Sequence, residues 1–366
     1  PLHFALVAIP LVPALTGTAN VLLVGGIARL GGASTGWALL AAGLYGLGTV
    51  QWRYGTALFS HSFSALFLLA AMYMVLRSAV REGSLGLRGK VLLGALLGYS
   101  LTLDYLNIVG AAGIAVLAWR QGLAGGEGSV LRRYGPFAAA VLVPVVLLLA
   151  YQWISFGSPF STSYSKHARF LWSRSFETTF TNNPLSGLAN YLLVVVRNSN
   201  PGDLGGDGGV LYPLLQTTPL LLVGFYGLVV LRRYRPTDAV FLSGIILAGM
   251  TLMAAHKTYW GGGTGDTRYI LPWLALLAPG VAWGLQDLGS RLGRNTQLAG
   301  AVAVGLLVVF TMVQHLRMQA GFLDHDDEGV PFVPGTFVQD IVRIDRVLDH
   351  AIGLPEHVRG LAGKLK

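Results

Sequence analysis

Long apolar runs separated by short charged loops constrain this chain more than any other feature. Several runs approach or exceed the roughly 20 residues that a helix needs to cross a bilayer. We expect spans at Phe4–Ala28, Thr35–Gln51, Gly55–Leu76, Val91–Trp119, Pro136–Ser155, Pro213–Leu231, Asp238–Ala255, Tyr269–Leu285 and Gln297–Leu316. Since 53% of the residues are hydrophobic and 12% are charged, the composition predicts an all-α polytopic membrane protein. The absence of cysteine excludes disulfides and cysteine-ligated metal.

Cations of this chain are concentrated in the short loops between the apolar runs. The formal charge of +9 therefore does not indicate nucleic-acid binding. Short basic loops mark the cytoplasmic side of a membrane protein. We predict a multi-pass protein of the plasma (inner) membrane, with these cytoplasmic residues: Arg77, Arg81, Arg88 and Lys90; Arg120, Arg132 and Arg133; Arg232, Arg233 and Arg235; Arg291 and Arg294. Asn182 and Gly262 are then predicted to be external.

The run Val91–Trp119 lies between two of these basic loops, so it must cross an even number of times. We predict a short helical hairpin of Val91–Thr102 and Tyr105–Trp119 that turns at Leu103–Asp104. The expected fold is a bundle of about eight spans plus this hairpin. Its arms are short for spans, and buried backbone at the tip needs protein or water around it.

The alternation of loops between the two sides of the membrane also predicts which segments lie on the outer face. The transmembrane domain is expected over residues 1–316, with one long outer loop at 156–212. Residues 317–366 are expected to form an extramembrane C-terminal tail on the outer side, with an amphipathic helix near Phe337–Ala351. The tail's acidic cluster His325–Glu328 is a candidate site for a divalent metal. A solvated loop is the favoured interpretation, and no cofactor is predicted. The chain begins at Pro1 without an initiator Met, and we expect that a segment precedes it.

The segment Lys257–Pro272, KTYWGGGTGDTRYILP, places charged residues, aromatics and glycines between two apolar runs. Arg268 and Lys257 can hold a phosphate, Arg as a planar fork and Lys as a point charge. Asp266 is an acid beside this basic pair. On local pattern alone, an interfacial loop with an aromatic belt and snorkelling cations is the favoured interpretation.

Two polar residues inside apolar runs also need an explanation. Asp104 at the hairpin tip would be costly in lipid, so we expect it to face a cavity or a partner near the outer surface. His61 is expected about two turns into the span that starts at Gly55. A hydrogen-bonded histidine that packs the bundle explains His61 as well as a functional role does.

In their order along the chain, several short motifs resemble a known family. They are Gly48–His61 (GTVQWRYGTALFSH), Leu103-Asp104-Tyr105, Phe156–Pro159 with Tyr164, Gly208–Pro213, Trp260-Gly261-Gly262, Gly265, Arg268-Tyr269 and Pro272. The chain resembles bacterial relatives of the protein O-mannosyltransferases and aminoarabinose transferases, whose membrane fold is called GT-C. The resemblance runs from near Pro1 to about Leu285. It departs from the family at Asp266-Thr267-Arg268, where Gly-Pro-Arg is commoner.

This resemblance implies transfer of a sugar, with inversion, from a polyprenyl-phosphate carrier to an acceptor at the outer face. It implies carrier phosphate binding by Arg268 and Lys257, and stacking on sugar or prenyl surfaces by Trp260 and Tyr269. The implied cavity residues are Asp104, Tyr105, His61 and Asp266. The family's catalytic acid lies on the first outer loop, which we expect upstream of Pro1, so we assign that role to no residue here. The implied partners are the lipid-linked sugar, membrane lipids and other membrane proteins.

Two other function classes stay open. A transporter or lipid flippase would also explain broken helices and buried charge, but no internal repeat relates the two halves of the sequence. A non-catalytic subunit of a larger membrane assembly would fit a chain that lacks the family's first loop.

Overall fold

A computed structural model describes residues 2–55, 59–81, 85–121, 129–161, 179–194, 196–197, 210–211, 213–257, 259, 267–293 and 299–314. The helices of the first half are α1 (Leu2–Leu30), α2 (Thr35–Leu47), α3 (Gln51–Tyr54), α4 (Ser60–Arg81), α5 (Leu87–Leu103), α6 (Ile108–Arg120) and α7 (Val130–Phe156). Those of the second half are α8 (Pro184–Leu192), α9 (Leu214–Thr217), α10 (Pro219–Tyr234), α11 (Pro236–Ala255), α12 (Leu271–Arg291) and α13 (Ala299–Gln314). Two-residue strands, Val196–Arg197 and Val210–Leu211, pair antiparallel. The predicted tail helix Phe337–Ala351 and the cluster His325–Glu328 lie outside the described residues.

Five helices of the described chain are long and apolar enough to cross a membrane. They comprise Leu11–Leu30, Ser60–Val80, Arg133–Phe156, Pro236–Ala255 and Arg268–Arg291. Shorter apolar helices run over Thr35–Leu47, Tyr105–Arg120 and Ala299–Gln314. The prediction of a helical protein with membrane-spanning segments therefore agrees with the structure, while the number of about eight spans and the GT-C arrangement stay predictions.

Side-chain hydrogen bonds between distant helices define two ends of the bundle. At one end, Arg235 Nη1 donates to the backbone oxygen of Leu30 over 3.1 Å. At the other end, Thr218 Oγ1 donates to the backbone oxygen of Gly48 over 2.8 Å. The first end, called the basic end below, carries Arg29, Arg77, Arg81, Arg88, Lys90, Arg120, Arg133, Arg232, Arg233, Arg235 and Arg291. The predicted basic loops thus share one end, although Arg294 lies outside the described residues and the side that this end faces stays a prediction.

The predicted helix break at Leu103–Asp104 is present. Helix α5 ends at Leu103, and Asp104 adopts an extended backbone with φ −158° before a 3₁₀ turn over Tyr105–Asn107. A cavity is lined jointly by Leu93 near the start of α5 and Trp119 near the end of α6. The chain therefore returns to the basic end after the break, as the hairpin requires.

Two predicted helix boundaries were wrong, each for a local reason. The helix predicted from Gly55 is preceded by the short helix α3, which ends at Tyr54 with Gly55 as its C-cap, and the described part of α4 begins at Ser60. His61 is therefore in the first turn of α4 rather than two turns into it. The run Pro213–Leu231 divides at Pro219, whose missing N–H and fixed φ favour the start of a new helix.

Helix α12 forms the centre of the bundle. Its side chains are almost completely buried from Leu271 to Leu285, and Trp273 packs against Gly249 of α11 and Gly110 of α6. Helices α10 and α12 cross at Gly224, Gly227 and Gly280, where absent side chains let the two backbones approach. The residues just before α12 are thereby fixed relative to α4, α6 and α11.

Candidate functional site

At the end of the bundle opposite to the basic end, Arg268 lies among aromatic rings. Its guanidinium carbon is 5.0 Å from the ring centroid of Tyr269 and 5.5 Å from that of Phe59. Both distances fall within the roughly 6 Å over which a cation is attracted to an aromatic face. Arg268 begins the 3₁₀ turn Arg268–Ile270, which leads into α12. We call this end, with Tyr54, Phe59, His61, His256 and Tyr269, the aromatic end.

His61 contributes a second polar group to this cluster. Its ring centroid is 5.2 Å from that of Tyr269, with the two planes at 88°. Tyr54 and Phe59 also lie against it, at 6.3 and 6.5 Å between centroids. The side chain is 7% exposed, and Nδ1 has no hydrogen-bond partner among the described residues. The structure thus brings His61, Arg268 and Tyr269 together, as their assignment to one site requires.

His256 follows the end of α11 and forms another edge of the cluster, and Lys257 is the next residue in the chain. The Lys257 N–H donates to the backbone oxygen of Thr179 over 2.8 Å, which fixes this segment against the chain before α8. The His256 ring lies 6.0 Å from the ring of Tyr269 and 5.7 Å from that of Phe180. Burial lowers the pKa of His256 to about 4, so its imidazole is neutral at pH 7.

Helix α8 supports the same segment through Tyr259. Asn190 Nδ2 donates to the Tyr259 hydroxyl over 2.6 Å, and the Tyr191 hydroxyl donates to the Tyr259 backbone oxygen over 2.5 Å. Burial raises the pKa of Tyr259, while the bond from Asn190 partly offsets the shift. The phenol is therefore neutral and serves as a structural hydrogen-bonding group.

Asp104 lies at the helix break rather than in the aromatic cluster itself. Its Oδ1 accepts from the N–H of Leu106 over 2.9 Å, which caps the 3₁₀ turn. One turn on, Asn107 Nδ2 donates to Ser64 Oγ over 2.9 Å, and Ser64 is one helical turn from His61. The side chain of Tyr105, next to Asp104, is 52% exposed.

Sequence reasoning missed a buried polar network beside the cluster. Asn20 is fully buried, and its Nδ2 donates to the backbone oxygen of Ser62 over 2.9 Å. Gln51 Nε2 donates to Ser62 Oγ over 3.0 Å, and the Tyr45 hydroxyl donates to Gln51 Oε1 over 2.9 Å. The signal was available, because an amide such as Asn20 inside an apolar run must find partners when it is buried.

Asp266 and Trp260 lie outside the described residues, as do Gly262 and Tyr164. Within the described ranges, no group of three or more His, Asp or Glu side chains is arranged to hold a metal ion. The chain matches no protein-family model, and no curated protein or solved structure shows significant similarity to it.

Proposed function

We propose that this protein transfers a sugar from a polyprenyl-phosphate carrier to an acceptor at the outer membrane face, and that the aromatic end binds the donor. The observation that carries the proposal is Arg268, whose guanidinium carbon is 5.5 Å from the ring centroid of Phe59 and 5.0 Å from that of Tyr269. A guanidinium group can bind phosphate oxygens through two parallel N–H groups, which a lysine does not offer. A carrier lipid presents its phosphate at the height of a helix terminus such as the start of α12.

The residues that the family resemblance assigns to donor binding have the following proposed parts. Lys257 supplies a second positive charge from the end of α11. Tyr269 and Trp260 offer ring faces for a sugar or a prenyl chain to stack on. We propose that His61 contributes Nδ1 as a hydrogen-bonding group, and that Asp104, Tyr105 and Asp266 face a donor cavity beside the aromatic end, as the family resemblance implies. Membrane lipids and other membrane proteins are further proposed partners.

The proposed reaction is a displacement at the anomeric carbon of the donor. The acceptor hydroxyl oxygen forms a bond to that carbon, and the bond from the carbon to the carrier phosphate breaks. The electron pair goes to the departing phosphate oxygen, so the carrier gains one negative charge. Arg268 and Lys257 stabilise that developing charge, which is the role of a preorganised cation in catalysis. A carboxylate takes the hydroxyl proton, and we assign it to no residue of this chain.

Substitution of Arg268 in the full-length protein in nanodiscs tests this function. Since a hydrogen bond to a charged group contributes about 1.5–3 kcal/mol, Arg268→Ala should weaken binding of a polyprenyl-phosphate sugar roughly 10- to 100-fold. Arg268→Lys keeps the charge but not the fork, and an intermediate loss is expected. The matched control is Arg77→Ala, which removes an exposed arginine at the basic end of α4.

The competing explanation is that Arg268 only anchors the helix at the membrane interface. In that case Arg268→Lys would behave as wild type, because a lysine snorkels equally well. Unchanged donor binding and turnover in a folded Arg268→Ala protein would refute the proposed phosphate-binding role.

A further inference from the structure

A cavity of about 260 Å³ lies at the basic end, remote from the aromatic end. It is a partly open cavity, lined by the start of α5 with the residue Leu85 before it, the end of α6 and the start of α7. Leu85, Leu93, Ala118 and Phe137 supply apolar walls, and Lys90 carries the one charge of the described lining. An apolar cavity with a single cation is suited to a ligand that has a hydrocarbon part and an anionic part.

The mouth of this cavity combines positive charge with amphipathic aromatics. Lys90 Nζ donates to the backbone oxygen of Arg133 over 3.3 Å, which places the ammonium group between α5 and α7. Trp119 lines the cavity yet is 60% exposed, and the exposed Arg120 follows it in sequence. Tryptophan and cations at one level of a helical bundle are typical of the headgroup region of a bilayer.

We infer that this cavity binds one anionic phospholipid of the leaflet at the basic end. The cavity is smaller than the roughly 300–1,000 Å³ of pockets that enclose whole ligands. It therefore holds a segment of one acyl chain, while the phosphate lies outside against Lys90. Charge complementarity selects an anionic headgroup, since basic pockets between transmembrane helices bind such headgroups.

This lipid site is separate from the proposed donor site. Helix α5 has 17 residues, so its two ends are about 25 Å apart at 1.5 Å per residue. The lipid site does not depend on the proposed sugar transfer, and its test does not measure transfer. The bound lipid would act on α7, whose most apolar segment is 11% buried, compared with 39–89% for the other four candidate spans. A lipid between α5, α6 and α7 would hold the start of α7 against the bundle.

The test is lipid retention by the full-length protein, measured by native mass spectrometry. The protein is equilibrated in nanodiscs of equimolar phosphatidylglycerol and phosphatidylcholine and then released into the gas phase. Wild type should retain phosphatidylglycerol in preference to phosphatidylcholine. Lys90→Gln should lower that retention about fivefold, which corresponds to the contribution of one cation at a charged membrane surface.

Two further variants separate a specific site from diffuse attraction. Arg232→Gln removes the same charge from an exposed position at the same end, outside the cavity lining, and should retain phosphatidylglycerol as wild type does. Ala115→Phe fills the cavity and should lower retention without any change of charge. Equal losses in Lys90→Gln and Arg232→Gln would overturn the inference. So would wild-type retention in Lys90→Gln or in a folded Ala115→Phe protein, or equal retention of both lipids by wild type.

Discussion

The side-chain nitrogen of Gln51 donates a hydrogen bond to Ser62 Oγ over 3.0 Å, which joins α3 to the first turn of α4. The same amide accepts at Oε1 from the Tyr45 hydroxyl over 2.9 Å and from Asn20 Nδ2 over 3.3 Å. One buried side chain thereby links α1, α2, α3 and α4. Helix α3 carries Tyr54, so this network also sets the position of an aromatic ring of the candidate site.

We expect Gln51→Leu to lower the free energy of unfolding by about 1–3 kcal/mol, because it leaves buried polar partners unsatisfied. Thermal unfolding in detergent would measure the change. Gln216→Leu makes the same substitution at an exposed position of the aromatic end and should have little effect. Equal melting temperatures for Gln51→Leu and wild type would show that the network does not stabilise this end.

The crossing of α10 and α12 makes a second prediction. A Cβ placed at Gly227 would lie 1.7 Å from the backbone oxygen of Gly280, so the helices would have to move apart. Gly227→Ala should therefore destabilise the protein by at least the roughly 1–3 kcal/mol typical of overpacking. Gly244→Ala is the control, since nothing lies within 4 Å of its Cβ position and alanine favours helix. A Gly227→Ala protein with wild-type yield and melting temperature would contradict this crossing.

The separation of the two ends predicts a labelling pattern. The chain contains no cysteine, so each introduced cysteine reports on one position. Arg232 and Leu185 are exposed at opposite ends of the bundle. In intact cells, we expect a membrane-impermeant maleimide to label Leu185→Cys and to spare Arg232→Cys. Two outcomes would refute the predicted orientation. One is labelling of both positions only after permeabilisation, and the other is labelling of Arg232→Cys but not of Leu185→Cys in intact cells.

His256 predicts a dependence of stability on pH. Its pKa is about 4 in the folded protein and about 6.5 when unfolded, so the unfolded state binds the proton first as pH falls. The stabilisation is fully present above pH 6.5 and is lost as pH falls towards 4. The loss amounts to at most about 3 kcal/mol, since 1.36 kcal/mol corresponds to one pKa unit.

The measurement is the melting temperature of wild type and His256→Gln between pH 7 and pH 4. The glutamine side chain does not titrate, so the variant should lose less stability on acidification than wild type does. Parallel pH profiles for the two proteins would exclude His256 as the titrating group.

Apolar run length and the grouping of cations were sufficient to predict helices that can span a membrane and a chain with one basic end. Both follow from local physics, because a helix in lipid satisfies its own backbone and its length is set by the bilayer. The helix break at Asp104 was predictable from the same grouping of cations, since an apolar run between two basic loops on one side must cross an even number of times and therefore turn.

Only the tertiary structure decided which polar residues meet. Asn20 and Ser62 are 42 residues apart, and Phe59 is more than 200 residues from Arg268, so no sequence period relates them. Their contacts depend on helix directions and close crossings, such as that of Gly227 with Gly280, which fix where α12 begins. The sequence could therefore identify His61, Arg268 and Tyr269 only as separate candidates. Helix packing brings these three residues into one cluster, and Asp104 lies at the break that follows α5.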